Sequence, residues 1–216
     1  MHDWECSLLP NSLFIPDLEL TGISNGLIDY SLEYNLQIFH QILMQGFKVN
    51  MAINVSIMNL QQLNFTDKVI ASLARWNIPP SNLILEITER GFLVDSEESN
   101  WNIENLSGKG VSFHIDDFGV GFTSIGNLRK FRIRSIKIDR SFITDLTKDE
   151  MSYSVVNCVI SMAKAFGIET VAEGIESWDL FEPLRTMGID YFQGYAVSQP
   201  LSYNELIPWM RNYKLP

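Results

Sequence analysis

Six acids, two amides and one lysine stand at the ends of short apolar runs in this 216-residue chain, where together they could line one reaction centre. The run Met51–Val55 carries Asn54 and is followed by Ser56, and Leu83–Ile87 carries Glu86, with Glu89 two residues further on. Val111–Ile115 ends at Asp116-Asp117, and Ser135–Ile138 carries Lys137 and is followed by Asp139. Ile168–Ala172 ends at Glu173, and Gly188–Phe192 ends at Gln193. Carboxylate and amide oxygens are hard donors, and one such residue per run suits a hard divalent cation.

Adjacent carboxylates repel, so Asp116-Asp117 is costly unless cations or hydrogen-bond donors offset the charge. Alone it also reads as a solvated acidic turn; beside Glu86, Glu173 and Asn54 at equivalent positions, it reads as metal ligands. Gly119-Val120-Gly121 invites a dinucleotide-binding reading. Ser124 stands where the third glycine belongs, and two aspartates would face a pyrophosphate, which argues against it. Alternation along Ser135-Ile136-Lys137-Ile138-Asp139 puts Lys137 and Asp139 on one face. Lys137 then either forms a buried structural ion pair or orients a nucleophilic water. Glu176, three residues past Glu173 across Gly174, is either a loop-anchoring carboxylate or a charge favoured at a helix N-terminus. Gln193-Gly194-Tyr195 offers an amide for a ligand. His2, His40 and His114 have no metal-ligand spacing, and His114 is expected to pack beneath the site.

Positioning these residues requires βα units. Each run is short and rich in Val, Ile or Phe, and all but the last precede a helical stretch, which predicts a parallel α/β sheet. Closed into a barrel, such a sheet brings its strand C-termini to one mouth. Residues 1–25 read as loop with one helical turn. Helices are predicted near 27–45, 59–76, 97–108, 122–130, 152–166, 176–187 and 203–212 from apolar spacing and from breaks at Pro79-Pro80, Gly110, Gly167 and Gly188. Tyr195–Val197 is expected to extend the sixth strand. Six strands are two short of a (β/α)8 barrel.

Composition (46% hydrophobic, 19% charged) supports a sizeable core in a single domain over residues 1–216. Cys6 and Cys158 read as ordinary thiols. A net charge of −10 argues against duplex nucleic acid as a partner. No stretch reaches the roughly 18 apolar residues of a membrane span, and the N-terminus lacks signal-peptide character. A cytoplasmic protein is expected.

The motifs Ala-Ile-Asn54-Val-Ser, Leu-Glu86-Ile-Thr-Glu89, Asp116-Asp117-Phe-Gly-Val-Gly-Phe-Thr-Ser, Ile-Lys137-Ile-Asp139-Arg-Ser-Phe-Ile, Val-Ala-Glu173-Gly-Ile-Glu176 and Gln193-Gly-Tyr, with Phe14-Ile-Pro upstream, resemble the EAL-domain family of cyclic di-GMP phosphodiesterases in order and spacing. The resemblance implies a modified, TIM-like (β/α)8 barrel whose first strand runs antiparallel. It also implies hydrolysis of cyclic di-GMP to the linear dinucleotide pGpG with two Mg²⁺ or Mn²⁺ ions, for which oxygen-only ligands are suited. By the same resemblance Asn54, Glu86 and Asp116 hold the first metal, and Asp116 bridges to a second held by Asp117 and Glu173. Lys137 positions the attacking water, and Gln193 and Asp139 contact substrate. Glu176 anchors the loop after Asp117, a loop that in this family also helps form the dimer.

The family's Glu-Ala-Leu motif, whose glutamate is a ligand of the first metal, does not occur in this sequence. The expectation is an incomplete barrel lacking its first two strands, N-terminally truncated relative to the family, with a weakened first metal site and impaired hydrolysis. Its open edge would be covered by a second copy, a partner chain or an upstream segment. The alternatives are a catalytically silent module that binds cyclic di-GMP or a protein, and a remnant with no independent role.

Overall fold

The computed structural model describes residues 24–92, 96–121, 128, 131 and 133–213. The expectations for residues 1–23, Phe14-Ile-Pro, Phe122-Thr-Ser and the 122–130 helix (Leu128 apart) fall outside them.

Six strands form one parallel sheet in sequence order: β1 Met51–Asn54, β2 Leu83–Thr88, β3 Ser112–Phe118, β4 Ile133–Ile138, β5 Glu169–Ala172 and β6 Tyr191–Phe192. The sheet curls into a half-barrel with helices on its outer face. Alternation decides which side chains face which way. Leu83, Leu85 and Ile87 of β2 are fully buried against the helices, whereas Glu86 and Thr88 on the inner face grow more exposed toward the strand end. Phe113 and Ile115 of β3 and Ile136 and Ile138 of β4 continue the same core. This is an incomplete TIM-like barrel, as expected.

Outside the sheet lie α1 Ser24–Met44, α2 Ile57–Leu60, α3 Phe65–Arg75, α4 Glu89–Phe92, α5 Glu97–Gly108, α6 Arg140–Thr144, α7 Glu150–Phe166, α8 Phe181–Met187 and α9 Tyr203–Asn212. Helix α7 follows local rules: Asp149 accepts from Ser152 N at 2.8 Å at its start, and Gly167, at φ 69°, ends it. Near 59–76 the chain makes two helices instead of one. The buried Asn102 amide donates to the Leu60 and Gln62 carbonyls at 2.8 and 2.9 Å, and its oxygen accepts from Thr66 N and Oγ1. Those carbonyls are thereby satisfied outside a helical ladder, and the chain turns there. The 176–187 segment likewise divides into a 3₁₀ turn, Trp178–Leu180, and α8.

Tyr195–Val197 forms a turn and does not extend β6. Ala196 N bonds to Ile175 O and Val197 N to Gly194 O, so these amides are spent on a loop contact and a local turn. Among the described residues β1 and β6 each pair on one side only. Gln45, just past α1, joins α9 through Tyr203 Oη at 3.2 Å and Arg211 at 2.9 Å, so the segments before β1 and after β6 touch. No described helix is long and apolar enough to cross a membrane.

Candidate metal centre

The strand ends converge as the alternation requires. Asn54 at the end of β1 lies beside Glu86 in register and is exposed. Glu86 Oε2 receives a hydrogen bond from Lys137 Nζ at 3.1 Å, and Asp116 Oδ1 receives another at 3.0 Å. Glu173 Oε1, past β5, lies 2.6 Å from the same nitrogen. One buried ammonium therefore touches carboxylates from three strand ends.

Adjacent residues on a regular strand point to opposite faces, yet Asp116 and Asp117 meet on one side. The reason is a bulge. Ile115 pairs with Ile136 and Phe118 with Ile138, so β3 spends two intervening residues where β4 spends one, Lys137. Asp117 completes the turn at φ 54°, a left-handed conformation uncommon outside glycine, and its amide donates to Asp116 Oδ1 at 3.1 Å. Backbone strain of this kind persists where the surroundings hold it and clusters at functional sites. Carboxylate oxygens of Asp116, Asp117 and Glu173 all lie within 4.8 Å of one another.

The loop that follows is held by a residue whose role sequence analysis did not see. Glu89, 3% exposed at the start of α4, accepts from Gly119 N and Gly121 N, both at 2.9 Å and both on Oε2. The anchoring expected of Glu176 is thus carried, for the described part of the loop, by Glu89. Glu176 is exposed and pairs with Arg140 at 3.4 Å, because Gly174, at φ 67°, packs against Arg140 and carries the chain over α6. Glu86-Ile-Thr-Glu89 could have betrayed the anchor: a second glutamate three residues on, just past the strand, starts a helix turn below the mouth.

Asp139 caps α6, accepting from Ser141 N at 2.9 Å, and lines a cavity of about 490 Å³ with Thr88, Arg90, Asp117 and Ser141. Gln193 has its backbone pinned, its N–H to Ala172 O at 2.9 Å and its carbonyl to Ile175 N–H at 3.1 Å, and is itself exposed at the mouth. His114 packs beneath the site as expected, with Nδ1 3.8 Å from Glu86 Oε1.

Burial and like charge dominate the electrostatics. Burial pushes Glu173 up to about 7 even though Lys137 opposes the shift, and Asp116 and Asp117 add to it. Glu86 is also raised, by burial and then Asp116, against the pull of Lys137. Asp117 is raised by burial, Asp116 and Asp139. Burial alone would lower Lys137, but Glu86, Glu173 and Asp116 outweigh it and hold the ammonium well above its ordinary value. His114 falls to about 4 through burial and the nearby Lys137 and Arg134, so it is neutral near pH 7. Four carboxylates around one lysine leave a surplus of negative charge that protons offset at lower pH and further cations can offset once the carboxyls ionise. An all-oxygen donor set with that surplus suits a hard divalent cation.

Known proteins resemble this chain in sequence and fold. The EAL domain family model matches residues 2–200. The chain is 30% identical over 201 residues to the bifunctional diguanylate cyclase/cyclic di-GMP phosphodiesterase MucR of Pseudomonas aeruginosa, covering 93% of this chain and 29% of that protein. It is 30% identical over 194 residues to the cyclic di-GMP phosphodiesterase RocR of the same organism, covering 90% and 50%. It thus spans no more than half the length of these two relatives. The solved structure of the PaMucR phosphodiesterase in its c-di-GMP complex superposes with a TM-score of 0.90 at 30% identity, covering 95% of this chain and 83% of that one. The EAL domain of Mycobacterium smegmatis DcpA superposes at 0.84 with 29% identity, covering 89% and 87%. With its motifs, its half-barrel and a match over nearly its whole length, the chain belongs to the EAL domain family.

Proposed function

We propose that this chain is a cyclic di-GMP phosphodiesterase-type domain that opens the cyclic dinucleotide to linear pGpG at two divalent ions, Mg²⁺ or Mn²⁺. The observation that carries the reading is the convergence of Asp116, Asp117 and Glu173 within 4.8 Å, brought about by the β3 bulge. Asn54, Glu86 and Asp116 would hold one ion, and Asp116, Asp117 and Glu173 the other. When bound, the ions supply charge neutralisation at the phosphoryl group and a water of lowered pKa.

The chain's own residues do the rest. Lys137 stays charged because its carboxylate neighbours hold its proton, so it acts as a donor that orients the attacking water, not as a base. Glu89 fixes the Gly119 and Gly121 amides and with them the direction in which Asp117 points. Gln193, Asp139 and the cavity beside Asp117 receive the nucleotide. The water oxygen attacks phosphorus, one ester oxygen leaves and takes up a proton, and the ring opens. Glu176 serves this reading through Arg140 and the loop after Glu173.

A second reading rests on one observation. The sequence contains no Glu-Ala-Leu, so the first ion has one carboxylate fewer than the family supplies. Turnover by this chain is then impaired, and in the limit the domain binds cyclic di-GMP without cleaving it. Calorimetric titration with cyclic di-GMP in Mg²⁺, alongside product analysis, separates the two. Binding with product supports the enzyme; binding without product supports the module. The edges of β1 and β6, one-sided among the described residues, are where a second copy or partner chain would pair, which light scattering of the purified chain tests.

A further inference from the structure

Lys137 serves the reacting centre, where its contacts go to Glu86, Asp116 and Glu173. Cyclic di-GMP carries two phosphodiesters, and only one can sit at the reacting centre. The other must be held elsewhere in a chain of net charge −10.

Beside the carboxylate cluster, the 490 Å³ cavity shares Asp117 with it and is also lined by Thr88, Arg90 and Ser141. Arg90 is the basic residue among the described lining residues; the ionisable others, Glu89, Asp117 and Asp139, are acids. Its side chain is exposed, and among the described residues it enters no ion pair. Its base is rigid, because the preceding residue, Glu89, is buried and tied to two loop amides. A guanidinium on a fixed base, lining a cavity and without a carboxylate partner among the described residues, is suited to a bidentate grip on a phosphate.

We propose that Arg90 binds the phosphate of cyclic di-GMP that is not cleaved and so selects a two-phosphate substrate. The proposal rests on the phosphodiesterase reading above. It is tested with Arg90→Ala and Arg90→Lys, using cyclic di-GMP and, in parallel, bis(p-nitrophenyl) phosphate, which has a single phosphodiester. Arg90→Ala is expected to raise KM and Kd for cyclic di-GMP about tenfold, the loss of one charge-assisted contact, with kcat within about twofold. Arg90→Lys should recover part of the loss, and hydrolysis of the one-phosphate substrate should be unchanged in both variants. An unchanged KM and Kd for cyclic di-GMP, or an equal loss on both substrates, overturns the proposal while leaving the function intact. A wild-type chain that is folded yet neither binds nor opens cyclic di-GMP overturns the phosphodiesterase reading, and this proposal with it.

Discussion

Lys137 Nζ sits 2.6 Å from Glu173 Oε1, the shortest of its three ion pairs, and this contact ties the fourth strand to the end of the fifth inside the half-barrel. The lysine side chain is 4% exposed. It therefore stands in for part of the positive charge that the carboxylates demand, and its removal leaves them buried and unpaired.

Lys137→Ala is accordingly expected to destabilise the metal-free chain by about 3 kcal/mol or more, the cost of breaking a buried ion pair from one side. Mn²⁺ should restore much of the loss, since the ions neutralise the same oxygens. Turnover should stay low even in excess Mn²⁺. Thermal melts with and without the metal, beside product analysis, check both statements.

Glu89 gives a graded test. Both amide bonds end on a single oxygen, Oε2, and glutamine retains one carbonyl oxygen able to accept both. Glu89→Gln should keep most activity, and Glu89→Ala should lower kcat/KM about a hundredfold by letting the Asp117 loop drift. Amide exchange at Gly119 and Gly121 should quicken in the alanine variant and hardly change in the glutamine one.

Much of this site could be read from the sequence because a polar residue inside a short apolar run has few places to go but the mouth of a parallel sheet. Asn54, Glu86, Lys137 and Glu173 follow that rule. The convergence of Asp116 and Asp117 does not, because it needs a bulge set by pairing with β4, and no local pattern announces one. The anchoring role of Glu89 escaped notice because its partners lie thirty and thirty-two residues away in sequence. The helix expected over 59–76 is interrupted for a similar reason. Asn102, on another helix, satisfies the carbonyls where the break occurs, while the local spacing favours continuity. Tyr195–Val197 has strand-forming residues, but Gly194 packs so closely on the Ile175 backbone that the chain must turn.

That contact sets a further prediction. A Cβ at position 194 would overlap Ile175 N and O, which are backbone atoms that cannot swing aside. Gly194→Ala should cost about 2 kcal/mol or more and displace Gln193, whose carbonyl accepts from the same Ile175 amide. A lowered melting temperature together with weaker cyclic di-GMP binding is expected.

Glu173 supplies a pH dependence. Its carboxyl holds a proton to about pH 7 in the folded chain and to about 4.5 when unfolded. Between those values the folded state binds more protons, so this group makes the metal-free protein less stable as pH rises. Metal binding needs the deprotonated carboxylate and should tighten over the same window. Calorimetric titration with Mn²⁺ at pH 5.5, 6.5 and 7.5 should show rising affinity, with the trend flattened in Glu173→Gln.

The proposed role of the Asp116, Asp117 and Glu173 cluster, a metal centre acting on cyclic di-GMP, is open to direct test. The most direct measurement is a time course of pGpG formation by the purified, folded chain in Mn²⁺, with a chelator control and the Asp116→Ala variant. Slow, metal-dependent product that disappears with the chelator and in the variant is expected. Product formed equally well by Asp116→Ala, or no metal-dependent product from the folded wild-type chain, would contradict it.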